Sequence, residues 1–327
     1  MLSNIYHRIY DKVQYKFSLI FIGIYIVIYN YQEIDIGILF YLFIAVITSI
    51  GIAGLGYVFN DYKDLEDDIK NNKRNIFIQL NEKEKIIVIV LFLCLAGIPW
   101  LYFPFDIISA LLILLELILF YIYAFPPLRL KEKGFWGILC DSLYAQVIPC
   151  SLAAYTFYKI QTPKQNFSIY FILIVLLWLF IIGIRNILIH QIDDFENDQN
   201  TKTKTFATNI GKKQTMKIVY NSILPLEIIL FTILLYQLPQ NGLFIIALYI
   251  IYCIAIFLIN KEHFRKHFAH YVNQSLLNEF YEIYLRVLLL IIYYISGIHS
   301  LYIPIFQFVL FAPIYLKSFL AFTKKYF

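Results

Sequence analysis

The sequence predicts an all-α fold: a polytopic membrane helical bundle of nine to ten transmembrane helices, forming one domain over residues 1–327. Three observations carry this prediction. Hydrophobic residues make up 61% of the chain and charged residues only 15%, whereas a soluble domain devotes roughly a quarter of its residues to charge. The apolar residues come in long runs rather than in stripes, and a bilayer core takes about 20 of them per helix. Backbone polar groups in lipid must be satisfied within each segment, so uninterrupted runs read as helices.

The runs lie near residues 17–31, 36–59, 86–103, 107–124, 136–158, 168–190, 217–236, 242–260, 280–298 and 302–322. Only a polar break between Gly297 and Pro304 separates the last two, hence nine to ten. The basic start (Arg8, Lys12, Lys16) leads into a run without a small-residue cleavage site, so no cleavable signal peptide is expected. Gly51, Gly54 and Gly56 fall late in the second run, where small residues permit close helix contact. Cys94, Cys140, Cys150 and Cys253 all sit in apolar runs without metal-like spacing and read as packing residues.

Charge tests the layout independently. With a cytoplasmic N-terminus, only Lys159 and Lys164 of the 27 basic residues fall in loops assigned to the outside, while Arg185, Arg286 and Lys317 lie within segments. This bias toward one side predicts a multi-pass protein of the cell membrane with its N-terminus in the cytoplasm. The second and sixth segments each end in a long acidic cytoplasmic loop, at 60–75 and 193–205. Helices 2–5 and 6–9 therefore read as a weak internal repeat, an arrangement that often places a site between its halves.

The first loop opens Asn60-Asp61-Tyr62-Lys63-Asp64-Leu65-Glu66-Asp67-Asp68. If the helix continues through it, Asn60, Asp64 and Asp68 share one face at i, i+4, i+8. The second carries Asp193-Asp194-Phe195-Glu196-Asn197-Asp198, with Asp194 and Asp198 again four apart. Like charges at that spacing destabilise a helix unless something compensates. A hard divalent cation with oxygen ligands does so, and Mg²⁺ binds through a few carboxylates together with substrate phosphates. Lys73 and Arg74 follow the first cluster and Lys202 and Lys204 the second. Arg129 and Lys131 stand after the prolines that end the fourth segment. These six are candidates to neutralise charge on a departing diphosphate.

The pattern resembles the UbiA superfamily of intramembrane prenyltransferases. Its first motif, NDxxDxxxD, is matched by Asn60, Asp61, Asp64 and Asp68. Its second, DxxxDxxxGxxT, is matched at Asp194, Asp198 and Thr205. The connection from Tyr123 to Gly134 is also similar, with Asp141 further along the next helix. The resemblance implies a bundle around a central cavity and Mg²⁺ on Asn60, Asp64, Asp68, Asp194 and Asp198. It also implies transfer of a prenyl group from its diphosphate to a small-molecule acceptor, with the apolar tail lying between helices open to membrane lipid. Asp61 and Asp193 are candidate supporting or base residues, and His190, one turn before Asp194, is a third candidate catalytic residue. Three departures stand out: Lys202 replaces the usual Gly of the second motif, Asn71-Asn72-Lys73-Arg74-Asn75 replaces the usual His-Pro and Arg-Pro, and the runs and the Lys324–Lys325 tail favour ten helices where the family usually has nine.

Arg185, Asn186, His190 and Gln191 run along the sixth segment toward the second cluster. An ionisable residue within a span is a functional candidate, and Arg185 has the alternative of pairing with Asp141. The histidines at 263, 267 and 270 read as part of a basic surface loop. The acceptor expected first is an aromatic, quinone-precursor-like compound. A phosphorylated sugar, glycerol phosphate or a carotenoid is the alternative within the same chemistry. A secondary transporter is the alternative from another class, but transporters place coupling groups near the midplane, whereas these acids sit at helix ends. No nucleic acid and no protein partner is expected.

Overall fold

The structure, a computed structural model, describes residues 17, 19–28, 31, 34–70, 75–78, 80–161, 167–237, 242–259, 277–295 and 301–326. Among the described residues helices dominate, with α1 (Leu19–Ile28), α2 (Ile38–Lys63), α3 (Glu82–Leu101), α4 (Ile107–Ala124) and α5 (Phe135–Ile160) in the first half. There follow α6 (Ile169–Asp193), α7 (Lys212–Gln237), α8 (Gly242–Ile259), α9 (Arg286–Ile295) and α10 (Tyr302–Tyr326). Among the described residues, α2 to α7 are each long and apolar enough to cross a membrane, and α1, α8 and α10 contain shorter apolar stretches. Lys73, Arg74 and the histidines at 263, 267 and 270 lie outside the described residues.

Local chemistry starts the helices where the runs predict them. Asn81 and Glu84 form a capping box at α3: the Asn81 side chain accepts from the Glu84 amide at 3.0 Å, and Glu84 accepts from the Asn81 amide at 2.9 Å. Asp106 caps α4 by accepting from the amides of Ile108 at 3.1 Å and Ser109 at 3.0 Å. It also accepts from the Tyr155 hydroxyl of α5 at 2.6 Å, with Lys159 at 3.5 Å. The Tyr155 hydrogen bond first, then the Ser109 amide, hold the Asp106 carboxyl down at about 2.

Small residues set the closest helix approaches. A Cβ on Gly51 would lie 2.2 Å from the Ala96 nitrogen, and one on Gly54 would lie 2.2 Å from the Phe92 ring, so α2 and α3 touch through backbone. A Cβ on Gly183 would meet Ser142 at 2.7 Å, which brings α6 against α5. One buried core gathers α1 to α5 and α10. A second gathers α6, α7 and the stretch from Leu277 to Leu285 around Trp178, Phe231 and Tyr281. In α5 the helix widens into a π turn at Leu143–Val147. Such turns re-aim side chains, and three residues of this one, Tyr144, Ala145 and Gln146, face a cavity between the two cores.

A candidate active site at one end of the bundle

The two acidic segments are built alike. α2 runs to Lys63 and breaks at Asp64 (φ −94°, ψ 4°), and a six-residue helix, Leu65–Lys70, follows. α6 runs to Asp193 and breaks at Asp194 (φ −86°, ψ 4°), and a six-residue helix, Phe195–Asn200, follows. Four-residue hydrogen bonding continues through both breaks. The Asp64 amide donates to the Asn60 carbonyl at 2.8 Å, and Asp68 to Asp64 at 2.8 Å. Asp194 donates to His190 and Asp198 to Asp194, each at 2.9 Å. The i, i+4 relation read from the sequence thus survives the kink.

Tertiary contacts complete the first segment. Asp64 is half-buried, and its Oδ1 accepts from Lys131 Nζ and, at 3.4 Å, from Arg129 Nη2, residues more than sixty positions away. Arg129 also pairs with Glu132 at 2.5 Å. Its backbone sits in the left-handed region (φ 39°), which costs an L-residue about 1–2 kcal/mol. Strain of this kind persists where the surroundings hold it.

Asp61 is buried, and its Oδ2 accepts from the Ile76 amide at 3.1 Å. Asn75 donates to the Asp61 carbonyl at 2.6 Å and to Asp68 Oδ2 at 2.8 Å, and it accepts from the Phe77 amide at 2.9 Å. Asn75, the last residue of the stretch that departs from the usual His-Pro and Arg-Pro, is therefore tied to the first motif. Nothing in the linear sequence signalled that role.

The second segment closes differently. The Lys202 amide donates to Gln199 at 3.1 Å and the Thr203 amide to Asp198 at 2.8 Å, with Lys202 at φ 58°. This is the Schellman helix ending, in which glycine usually takes the left-handed position. The turn is kept although lysine stands there. Thr205 caps the helix Phe206–Ile210, accepting from the Thr208 amide at 3.3 Å. Gln191 Oε1 accepts from the Ala207 amide at 3.1 Å and ties this helix to α6. Lys202, Lys204 and Asp193 are exposed, while Asp194 and Asp198 are partly buried. His190 Nδ1 lies 3.9 Å from Asp194 Oδ2, beyond hydrogen-bond reach, with most of its side chain exposed.

Between the two helix ends lies a cavity of about 420 Å³. Asn60 of the first motif and Asn186 and His190 of α6 line it, together with Tyr123, Asp141, Asn278 and Tyr281. The Tyr144 hydroxyl donates to Asp141 at 2.6 Å, and the Tyr123 and Tyr144 rings stand 5.0 Å apart. Tyr57, Asn60, Tyr144 and Ala145 also line a second, mostly apolar pocket. It continues along α2 to Ala45 and reaches Trp100, Phe103 and Phe157. At about 1.5 Å per residue, that α2 wall is roughly 22 Å long. Glu116 of α4 also lines this pocket and is buried.

Arg185 does not pair with Asp141, the alternative read from the sequence. Its guanidinium is fully buried, with Nε 2.6 Å and Nη2 3.2 Å from the Glu227 carboxylate of α7, and Nη2 also donates to Asn278 Oδ1 at 2.9 Å. The acid that neutralises it lies 42 residues away on a neighbouring helix.

The UbiA prenyltransferase family model matches residues 17–277. The chain belongs to the UbiA prenyltransferase family. It is therefore an integral membrane protein and a prenyltransferase by family, and the transporter alternative falls away. The fold is similar to that of a UbiA homologue from Archaeoglobus fulgidus bound to DMAPP and Mg²⁺. The TM-score is 0.62 at 15% identity, over 90% of this chain and 98% of that one. A UbiA homologue from Archaeoglobus fulgidus bound to GPP and Mg²⁺ gives a TM-score of 0.59 at 15% identity, over 77% and 87%. The apo structure of a UbiA homologue from Aeropyrum pernix K1 gives 0.56 at 12% identity, over 86% and 98%. No curated protein matches the sequence.

Proposed function

We propose that this UbiA-family chain transfers a prenyl group from a polyprenyl diphosphate to an aromatic acceptor of the quinone-precursor kind, with Mg²⁺ as cofactor. The observation that carries the reading is the junction at Asp64. There a carboxylate holds Lys131 and Arg129 one helical turn beyond Asn60, which lines both a cavity with several polar groups and an adjoining apolar pocket. A diphosphate with a hydrocarbon tail needs both environments, side by side.

The donor set fits Mg²⁺. Asn60, Asp64, Asp68, Asp194 and Asp198 offer hard oxygens on successive turns of two helix ends, and Asp64 already gathers two cationic side chains. Among the described residues, no three acidic, histidine or cysteine side chains converge tightly enough to hold a metal unaided. That suits an ion which takes its remaining ligands from substrate and water. When bound, Mg²⁺ neutralises charge on the diphosphate.

In the proposed reaction Lys131 and Arg129 turn from Asp64 to the diphosphate oxygens and stabilise charge as the allylic C1–O bond breaks, its electron pair leaving with the diphosphate. Lys73 and Arg74, which follow the first motif in the sequence, and Lys202 and Lys204, which follow the second, are the further candidates for positive charge toward the diphosphate. The Tyr57, Tyr123 and Tyr144 rings offer their faces to the allylic cation. The acceptor's nucleophilic atom bonds to C1 and gives up a proton. We assign that proton to Asp141, because its carboxylate lines the cavity and is oriented by Tyr144. Asp61 faces Ile76 and places the segment after the first motif. His190 stands at the rim, and Asp193 lies at the exposed end of α6. The N-terminus and both Asp-rich segments face the cytoplasm in this reading, in line with the distribution of basic residues.

The test is turnover by the reconstituted protein with labelled farnesyl and geranylgeranyl diphosphate and a panel of phenolic acceptors, with Mg²⁺ or EDTA. Mg²⁺-dependent prenylated product, lost in both Asp64→Asn and Asp194→Asn, is expected. Donor turnover that neither substitution affects would remove the two motifs from the reaction.

A further inference from the structure

The Asn278 side of the cavity has its chemistry set by groups buried in the bundle. Asn278 lines the cavity, and its Oδ1 accepts from Arg185 Nη2 at 2.9 Å. A guanidinium only donates hydrogen bonds, so Arg185 dictates which way the Asn278 amide is turned. The carbonyl end is taken up inside the protein, and the NH₂ end is the one left for the cavity. Arg185 is in turn held by both oxygens of Glu227. The three groups come from α6, α7 and the helical stretch Leu277–Leu285 before α9, so the orientation of Asn278 is fixed by three helical segments at once.

Of the other polar groups in the lining, Asn60, Gln146 and Asn186 are neutral amides, four are tyrosine hydroxyls, Asp141 is a carboxylate and His190 is a mostly exposed imidazole. Among the described residues that line the cavity there is no lysine or arginine. Among the described residues, Arg185 is engaged with Glu227, and Lys131 and Arg129 with Asp64. Recognition of a phosphate or carboxylate in a low-dielectric site relies on charge-assisted, often bidentate donors. An anionic head in this cavity would instead face the Asp141 carboxylate.

Resting on the prenyl-transfer reading above, we infer that Asn278 is the hydrogen-bond donor that recognises the acceptor, and that the acceptor is an uncharged phenol or quinol rather than a carboxylate or phosphate ester. One acceptor oxygen receives the Asn278 N–H. The hydroxyl or ring carbon that attacks C1 of the donor passes its proton to Asp141. Arg185 and Glu227 are positioning residues that act through Asn278.

The experiment measures Mg²⁺-dependent binding of labelled geranylgeranyl and farnesyl diphosphate, then compares transfer to three acceptors: 1,4-hydroquinone, 4-hydroxybenzoate and glycerol 1-phosphate. Parent, Asn278→Asp and Asn278→Leu are assayed side by side. Asn278→Asp still accepts from Arg185 and so preserves the ion-pair network, but it no longer donates. The expected result is transfer to hydroquinone alone. The acceptor KM should rise about tenfold in Asn278→Asp, the loss of one buried hydrogen bond, while the donor KM stays unchanged. Transfer to 4-hydroxybenzoate or glycerol 1-phosphate in preference to hydroquinone, or no transfer to hydroquinone, overturns the inference. So does an acceptor KM that is the same in both variants as in the parent. These outcomes leave prenyl transfer standing as long as donor is bound and turned over. Failure to bind either diphosphate overturns prenyl transfer itself, and this inference with it.

Discussion

Replacing Glu227 with alanine leaves the Arg185 guanidinium, fully buried between α6 and α7, without the carboxylate that neutralises it. Removing one partner of a buried ion pair costs about 3–5 kcal/mol, because the remaining charge stays desolvated. Asn278 still accepts one hydrogen bond from Arg185, which places the expected loss near the lower end, about 3 kcal/mol. At roughly 2–4 °C per kcal/mol for a sizeable domain, the melting temperature should fall by roughly 6–12 °C. The double variant Arg185→Met/Glu227→Leu removes both charges and fills the space with apolar atoms. Such replacements are often neutral or stabilising by about 1–4 kcal/mol. The assay is thermal loss of the monodisperse peak in one detergent at one heating rate, with parent, single and double variants in parallel. A Glu227→Ala protein that melts with the parent would refute the reasoning, since a guanidinium that loses the Glu227 carboxylate at no cost is not dependent on it for its burial. A double variant that falls as far as the single one would also refute it, because the loss would then come from packing rather than charge.

Lys202→Gly should relieve about 1–2 kcal/mol of left-handed strain against about 0.5–1 kcal/mol of added chain entropy, slowing amide exchange at Thr203 by roughly two- to fivefold. A rise in donor KM in the same variant would identify the lysine side chain as a diphosphate contact as well. Gly51→Val forces atoms into the Ala96 backbone, so a stability loss of about 1–3 kcal/mol is expected by thermal melting, and parent-like stability would show that α2 and α3 can part without cost. The pH dependence of the α4 cap follows from a lowered carboxyl. Asp106 titrates at about 2 in the folded chain against 3.8 ordinarily. Its contribution is complete above the unfolded value and is lost as pH falls through the folded one. Tyr155→Phe removes the largest cause of the lowering, so carboxyl infrared titration should show Asp106 moving back up toward 3.8.

Much of the fold was legible because lipid leaves a chain few choices. Long apolar runs predicted helices, and helices stand at those places wherever the chain is described. The acidic spacing at Asn60–Asp64–Asp68 and Asp194–Asp198 could be read too, since a four-residue repeat is a local property of the helix, and it survives the kinks. What stayed hidden depended on residues distant in sequence. Sequence singled out Arg129 and Lys131, but only the return of the α4–α5 connection sets them against Asp64. Asn75 looked like a departure from a pattern and became the group that folds its own segment back onto the motif.

The sequence by itself determined the membrane class, the family and the carboxylates that identify it, because hydropathy and helical spacing are written in neighbouring residues. Tertiary structure alone decided which charges meet. Arg185 was assigned a plausible partner in Asp141, yet Glu227 holds it, which leaves Asp141 with Tyr144 in the wall of the cavity. The physical reason is that a buried charge must be neutralised by whichever opposite charge the packing of helices brings within about 3 Å. That packing is set by side-chain shape and by glycines such as Gly183, where α6 closes on Ser142.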